Sequence, residues 1–143
     1  MTIVLTGGSG FIGTRLAKTF LSLGHTVIVI DVKGPNFTDE HLFFIQCDLS
    51  HQPLPYNVLE RTDAVINLVG VPISKKWNDS YKEEIKSSRI QSTKTIVAAI
   101  ESSQSKPSVF ISASAIGYYG DTGEYSVDEQ SSQGKGFLSD VTA

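Results

Sequence analysis

The 143-residue chain contains one cysteine, Cys47, so no disulfide can form within it. That excludes the small disulfide-stapled folds and fits a reducing, cytoplasmic compartment. No apolar run approaches the roughly 18–20 residues that span a bilayer, so no membrane role is expected. Glycines interrupt the apolar residues near the N-terminus, which excludes a secretory signal there. No block of like charge exists: 12 Lys and Arg stand against 15 Asp and Glu, for a formal net charge of −3. Nucleic-acid binding needs clustered cations to displace phosphate counterions, and none are clustered here. His25, His41 and His51 are isolated, and no Cys/His spacing resembles a metal site. What remains is globular: 40% hydrophobic and 19% charged, enough for one domain with a real core.

Strand and helix patterns alternate. Ile3–Thr6 reads as a strand and runs directly into glycines. Phe11–Leu23 reads as a helix, with Phe11, Ile12, Leu16 and Phe20 near one face and Gly24 stopping it. Thr26–Ile30 is apolar and β-branched, the pattern of a strand buried on both faces. Residues 33–42 read as loop, Phe43–Gln46 as a short strand, and Ala64–Val69 as a fourth. Lys82–Glu101 is the longest helical pattern, its apolar side carried by Ile85, Ile90, Ile96, Val97 and Ile100. Val109–Ser112 gives a fifth strand, and from Gly117 onward no regular element is convincing. The order predicts an α/β fold with a doubly wound parallel sheet and right-handed crossovers. Residues 134–143 look like the start of a helix cut short, as in the N-terminal part of a longer chain.

The most informative segment is the first turn. Glycines at 7, 10 and 13 lie between a strand and a helix, the arrangement that hands a dinucleotide's phosphates to a helix N-terminus. Gly7 permits the tight turn, Gly10 lets the backbone approach the pyrophosphate, and Gly13 lets the helix pack closely. Asp31 closes the second strand eighteen residues after Gly13, near the spacing at which an acid bonds a ribose 2′-hydroxyl. A carboxylate there repels a 2′-phosphate and favours NAD, an effect that Lys33 partly offsets. Asp48 follows the third strand, where it can accept from an adenine amino group or simply cap a turn. Gly70 allows close approach to the cofactor or ends the strand. Ser114 lies beyond the fifth strand, in the crevice region, and is a candidate to polarise a substrate oxygen. Tyr118 and Tyr119 are candidate proton donors, or packing residues with wet hydroxyls. Trp77 reads as a buried anchor in preference to a residue that stacks on substrate.

Together, Thr6-Gly7-Gly8-Ser9-Gly10-Phe11-Ile12-Gly13, Asp31, Asp48-Leu49, Asn67-Leu68-Val69-Gly70 and Ser112 to Gly120 resemble the extended short-chain dehydrogenase/reductase superfamily, in its branch of NAD-dependent epimerases and dehydratases. Gly70-Val71-Pro72-Ile73, Lys76-Trp77, Ser88 to Lys94 and Gly117 to Asp121 resemble its "epimerase family protein" subgroup. The resemblance implies a Rossmann-type three-layer α/β/α domain over 1–143, with a smaller C-terminal substrate domain outside it. It implies that Gly7, Ser9, Gly10, Phe11, Ile12 and Gly13 hold the dinucleotide with Asp31, Asp48, Leu49, Leu68, Val69 and Gly70. Arg89 is then a bidentate phosphate donor, or else a solvated helix arginine. Ser114, Tyr118 and Tyr119 are the implied catalytic residues, acting on a nucleotide sugar or another small hydroxyl or carbonyl substrate. The subgroup favours NADP where Asp31 favours NAD. Homodimerisation through the 82–101 helix is a further implication. One departure stands out: the superfamily's Tyr-x-x-x-Lys pair, expected roughly 25 residues beyond the catalytic serine, is not found. Tyr125 is the last tyrosine, and Lys135 the only lysine after Lys106. The same residues therefore also suit a non-catalytic NAD(P)-binding sensor or scaffold.

Overall fold

The computed structural model describes residues 1–55 and 57–143. Strands Thr2–Thr6 (β1), Thr26–Asp31 (β2), Leu42–Gln46 (β3), Ala64–Asn67 (β4) and Val109–Ser112 (β5) form one parallel sheet, in the order β3-β2-β1-β4-β5. This order makes it a doubly wound, Rossmann-type sheet, the fold class expected from the sequence. The register aligns the strand ends. Thr6 pairs with Ile30 on one side and Asn67 on the other, and Asn67 pairs with Ser112. Polar residues that would disrupt the strand interiors thus emerge together along the carboxyl edge.

Alternation along β1 explains the layers. Ile3 and Leu5 face helix Phe11–Ser22 (α1) with Val27, Val29 and Ile66, and Ala17 packs among them. Val4 points the other way, with Ile30 and Val65, toward helix Asp79–Ser102 (α2) and its Ile96. Each fully buried Val, Leu or Ile contributes about 1.5–3 kcal/mol, so burial on both faces holds the central strands β1, β2 and β4.

α1 ends as expected. Gly24 takes φ +76°, its N–H donates to Leu21 O (2.9 Å), and His25 N–H donates to Phe20 O (3.0 Å), the paired bonds of a Schellman motif. Its buried residues are Gly13 and Ala17, whereas Phe11 is 96% exposed. Five positions at about 100° each carry Phe11 well round the helix from Leu16, so the expected apolar face begins later than the sequence pattern implied. α2 starts three residues before the expected Lys82. Asn78 Oδ1 accepts from Tyr81 N–H (2.7 Å) and caps a first turn that has no apolar periodicity. β4 stops at Asn67 instead of Val69, because Val69 N–H turns back to Asn67 Oδ1 (3.2 Å). Trp77 is half-buried, with its indole N–H on Ile73 O (2.9 Å).

The chain divides into two compact units, Met1–Ser112 and Ala113–Ala143. The second contains one 3₁₀ turn, Ile116–Tyr119, and helix Phe137–Thr142 (α3). Ser139, 1% exposed, donates from its hydroxyl to Tyr118 O (2.8 Å), and Gly134 N–H donates to the same oxygen (2.9 Å). Among the described residues no helix is long and apolar enough to cross a membrane.

Candidate functional site

A cleft of about 520 Å³ opens at the carboxyl edge of the sheet, within the first unit. Its floor is the turn between β1 and α1. Gly7 has φ +71°, and a Cβ there would lie 2.8 Å from the Leu68 carbonyl carbon, so both conformation and space demand glycine. A Cβ on Gly13 would lie 2.5 Å from Gly8 Cα, so the helix is seated directly on the turn. Gly10 is different. Its φ of −70° suits any residue, and a Cβ would meet only Gly7 O, at 3.3 Å. Gly10 lines the cleft. It is also the N-cap of α1, so no side chain caps the first turn, and no acid lies within that turn. Free amides at a positive helix end can hold an anion there.

Asp31 forms the next part of the wall. One carboxylate oxygen accepts Ser9 N–H (3.0 Å), the other accepts Val32 N–H (2.7 Å), and Ser9 Oγ donates to Lys33 O (2.6 Å). These bonds tie the glycine turn to the end of β2. A carboxylate offers about four lone-pair sites, so Asp31 keeps capacity for ligand hydroxyls. Further along, Asp48 Oδ1 accepts from Ser50 N–H (3.0 Å) and from the Ser50 hydroxyl, and Oδ2 meets His51 Nδ1 (3.1 Å). The Ser50 hydroxyl holds the Asp48 carboxyl below the usual carboxylate range; burial opposes it, and His51 adds a lesser lowering. His51, isolated in sequence, lines the cleft beside Asp48. An Asp-x-x-His spacing in a turn is the signal that marks it. Burial pushes the neighbouring Cys47 thiol up, with Asp48 adding to the shift, so Cys47 stays a packed thiol. Leu49, Leu68 and Val69 supply apolar lining.

Asn67 has a structural role in the site that the sequence pattern does not assign. It is 3% exposed, accepts from Thr6 Oγ1 (2.8 Å), and donates to Thr93 Oγ1 (3.0 Å) and Ser112 Oγ (3.2 Å). One amide thus joins the carboxyl ends of β1, β4 and β5 to α2. An Asn closing an apolar strand is its only sequence signal.

The cleft therefore collects Gly7, Ser9, Gly10, Asp31, Asp48, Leu49, Leu68, Val69 and Gly70. Phe11, Ile12 and Gly13 begin α1 outside the lining, the first two with exposed side chains. Arg89 also lies outside it, half-buried, with its guanidinium on Val71 O and Ile85 O, both at 3.1 Å. Burial lowers the Arg89 pKa, with a smaller opposing effect from Tyr81. Ser114 belongs to the second unit and is exposed. Tyr118 and Tyr119 lie in that unit's 3₁₀ turn, half-buried, with ring centroids 5.2 Å apart and edge-on at 90°. Among the described residues no group of three or more His, Cys, Asp or Glu could hold a metal ion.

Residues 3–137 match the sequence model of the NAD dependent epimerase/dehydratase family. The chain belongs to that family. It is 35% identical over 147 residues to the epimerase family protein SDR39U1 homolog, chloroplastic, of Arabidopsis thaliana, covering 99% of this chain and 42% of that protein. Human epimerase family protein SDR39U1 (isoform 2), whose crystal structure contains NADPH, is 27% identical with a TM-score of 0.78. That match covers 99% of this chain and 46% of the human one. UDP-glucuronic acid 4-epimerase from Bacillus cereus, solved with UDP-glucuronic acid and NAD, has a TM-score of 0.82 at 23% identity. It covers 99% of this chain and 49% of its own, and at that identity it speaks to the fold. This epimerase/dehydratase-family chain spans less than half the length of the curated relatives it matches.

Proposed function

We propose that this chain is the dinucleotide-binding part of an NAD(P)-dependent oxidoreductase of the epimerase/dehydratase type, holding NAD or NADP in the cleft. The carrying observation is Gly10: an uncapped helix start lines the cleft, and the one atom a Cβ there would meet is Gly7 O, at 3.3 Å. The amides there hold the diphosphate. Asp31 accepts from the adenosine ribose hydroxyls and favours NAD over NADP, because its charge opposes a 2′-phosphate. Asp48 accepts from the adenine amino group, with Leu49, Leu68 and Val69 against the ring. When bound, the cofactor supplies reversible hydride exchange with a substrate carbon bearing a hydroxyl or carbonyl. Ser114 polarises the substrate oxygen, and Tyr118 or Tyr119 moves its proton. The substrate is a nucleotide sugar or a related small molecule, bound largely by the part of the relatives' length that this chain does not cover. A cytoplasmic homodimer completes the assignment.

α3 reads Phe-Leu-Ser-Asp-Val-Thr and offers neither the tyrosine nor the lysine of the superfamily pair. That favours a second reading, a dinucleotide-binding sensor without turnover. Titration of the full-length protein with NADH and NADPH tests the shared claim, and absence of binding refutes both readings. Incubation with a panel of carbonyl compounds and nucleotide sugars then separates them. Cofactor oxidation or an epimerised product supports the enzyme, whereas binding without either supports the sensor.

A further inference from the structure

We infer that Arg89 is a positioning residue for the cofactor cleft, setting the wall formed by Gly70, Val71 and Pro72. The inference rests on the dinucleotide reading above and names what fixes the shape of that site. Val71 is held at both its N–H and its carbonyl by consecutive residues of α2. Its N–H donates to Ser88 Oγ (3.3 Å), and its carbonyl accepts from Arg89 Nη2 (3.1 Å). Pro72 O accepts from the Tyr81 hydroxyl (2.5 Å), a third point on the same helix. Gly70, Val71, Pro72 and Ser88 all line the cleft, so the helix side chains hold the wall from behind.

The guanidinium also packs against Gly70, so a side chain there would have to displace it. A Cβ on Gly70 would stand 2.7 Å from Arg89 Cζ, 2.9 Å from Nη2 and 3.0 Å from Nη1. Three nearly equal distances place that point over the flat face of the guanidinium. The group thus occupies the side-chain space of Gly70 while one nitrogen reaches forward to Val71 O and the other back to Ile85 O (3.1 Å). Only a planar fork can do all three; an ammonium is a compact point charge on a flexible stem. Among the described residues no carboxylate lies within ion-pair distance of Arg89, so its place is fixed by carbonyls and by Gly70. α2 itself is anchored through buried Ile85, Ser88, Ser92 and Ile96. The wall is therefore held by a helix packed against the core.

The test compares wild type, Arg89→Lys, Arg89→Met, Gly70→Ala and the Gly70→Ala/Arg89→Met double variant in the full-length protein. NADH affinity is measured by fluorescence titration and thermal midpoint by circular dichroism. Both Arg89 variants are expected to bind NADH about tenfold more weakly, the worth of one charge-assisted hydrogen bond, with lysine failing to rescue. Gly70→Ala is expected to weaken binding where Arg89 is present. It should add little on the Arg89→Met background, where the guanidinium that its methyl would strike is gone. A merely structural arginine would lower the midpoint and leave the affinity of the folded protein unchanged. Wild-type binding matched by both Arg89 variants, or an equal Gly70→Ala effect on both backgrounds, overturns the inference alone. No binding by wild type overturns the dinucleotide reading and the inference with it. If Arg89→Met does not fold, Arg89→Lys, which keeps stem and charge, carries the comparison.

Discussion

Replacing Asp31 with asparagine removes one charge from the cleft wall at nearly constant side-chain volume. The native carboxylate accepts Ser9 N–H at 3.0 Å and Val32 N–H at 2.7 Å, and an amide oxygen can retain one of these bonds. A carboxylate about 5 Å from a 2′-phosphate of charge about −2, at a dielectric of about 80, repels it by about 1.7 kcal/mol. That is a factor of about 20 in NADP affinity. Ribose hydroxyls donating to a neutral amide in place of a carboxylate lose about 1 kcal/mol, or about fivefold in NAD affinity. Asp31→Asn should therefore move the NAD:NADP affinity ratio by about 100-fold toward NADP. Parallel NADH and NADPH titrations at low salt read the ratio, and repetition at about 0.5 M salt should shrink the phosphate part through screening. A ratio that moves less than about twofold, well under the repulsion worked out above, removes Asp31 from the ribose site.

Gly10→Val should abolish dinucleotide binding at a modest cost in thermal midpoint, because the residue caps α1 and an added Cβ meets only Gly7 O, at a tight 3.3 Å; retained affinity counts against the phosphate turn. Asn67→Ala strands the hydroxyl of Thr6, which is 0% exposed, and unlinks Thr93 and Ser112. It should cost about 3 kcal/mol, or roughly 10 °C in thermal midpoint, and a loss under about 3 °C refutes the hub. For Asp48, the unfolded carboxyl titrates near about 3.9 and the native one lower, so its stabilisation is complete above that value and is lost as pH falls through the native value. Ser50→Ala removes the largest cause of the lowering, so urea midpoints should fall less steeply between about pH 5 and pH 3 than in wild type. Equal slopes reject that origin.

Local chemistry made the fold legible. β1 and β2 are apolar and β-branched, the Gly24 stop obeys helix-end stereochemistry, and the glycine turn sits between a strand and a helix. Where expectation and structure parted, a side chain redirected the backbone. Asn78 capped a polar turn that no apolar period could reveal, and Asn67 drew Val69 N–H out of the ladder. The site was legible where it is built from consecutive residues, as at 7–13. It was illegible where partners are far apart in sequence. Asn67 reaches residues 26, 45 and 61 positions away, and nothing local to Arg89 points to Gly70.

Gly7, Gly10 and Gly13 of the first turn answer to different masters. Gly7 and Gly13 are held by backbone atoms under 3 Å from any added Cβ, whatever occupies the cleft. At Gly10, which lines the cleft, an added Cβ meets a single backbone atom, Gly7 O, at 3.3 Å. A descendant that gave up its nucleotide would keep the outer two to go on folding and would be free to drift at the middle one. Among divergent copies, then, residue 10 records whether a ligand is still being carried, while residues 7 and 13 record only ancestry of architecture.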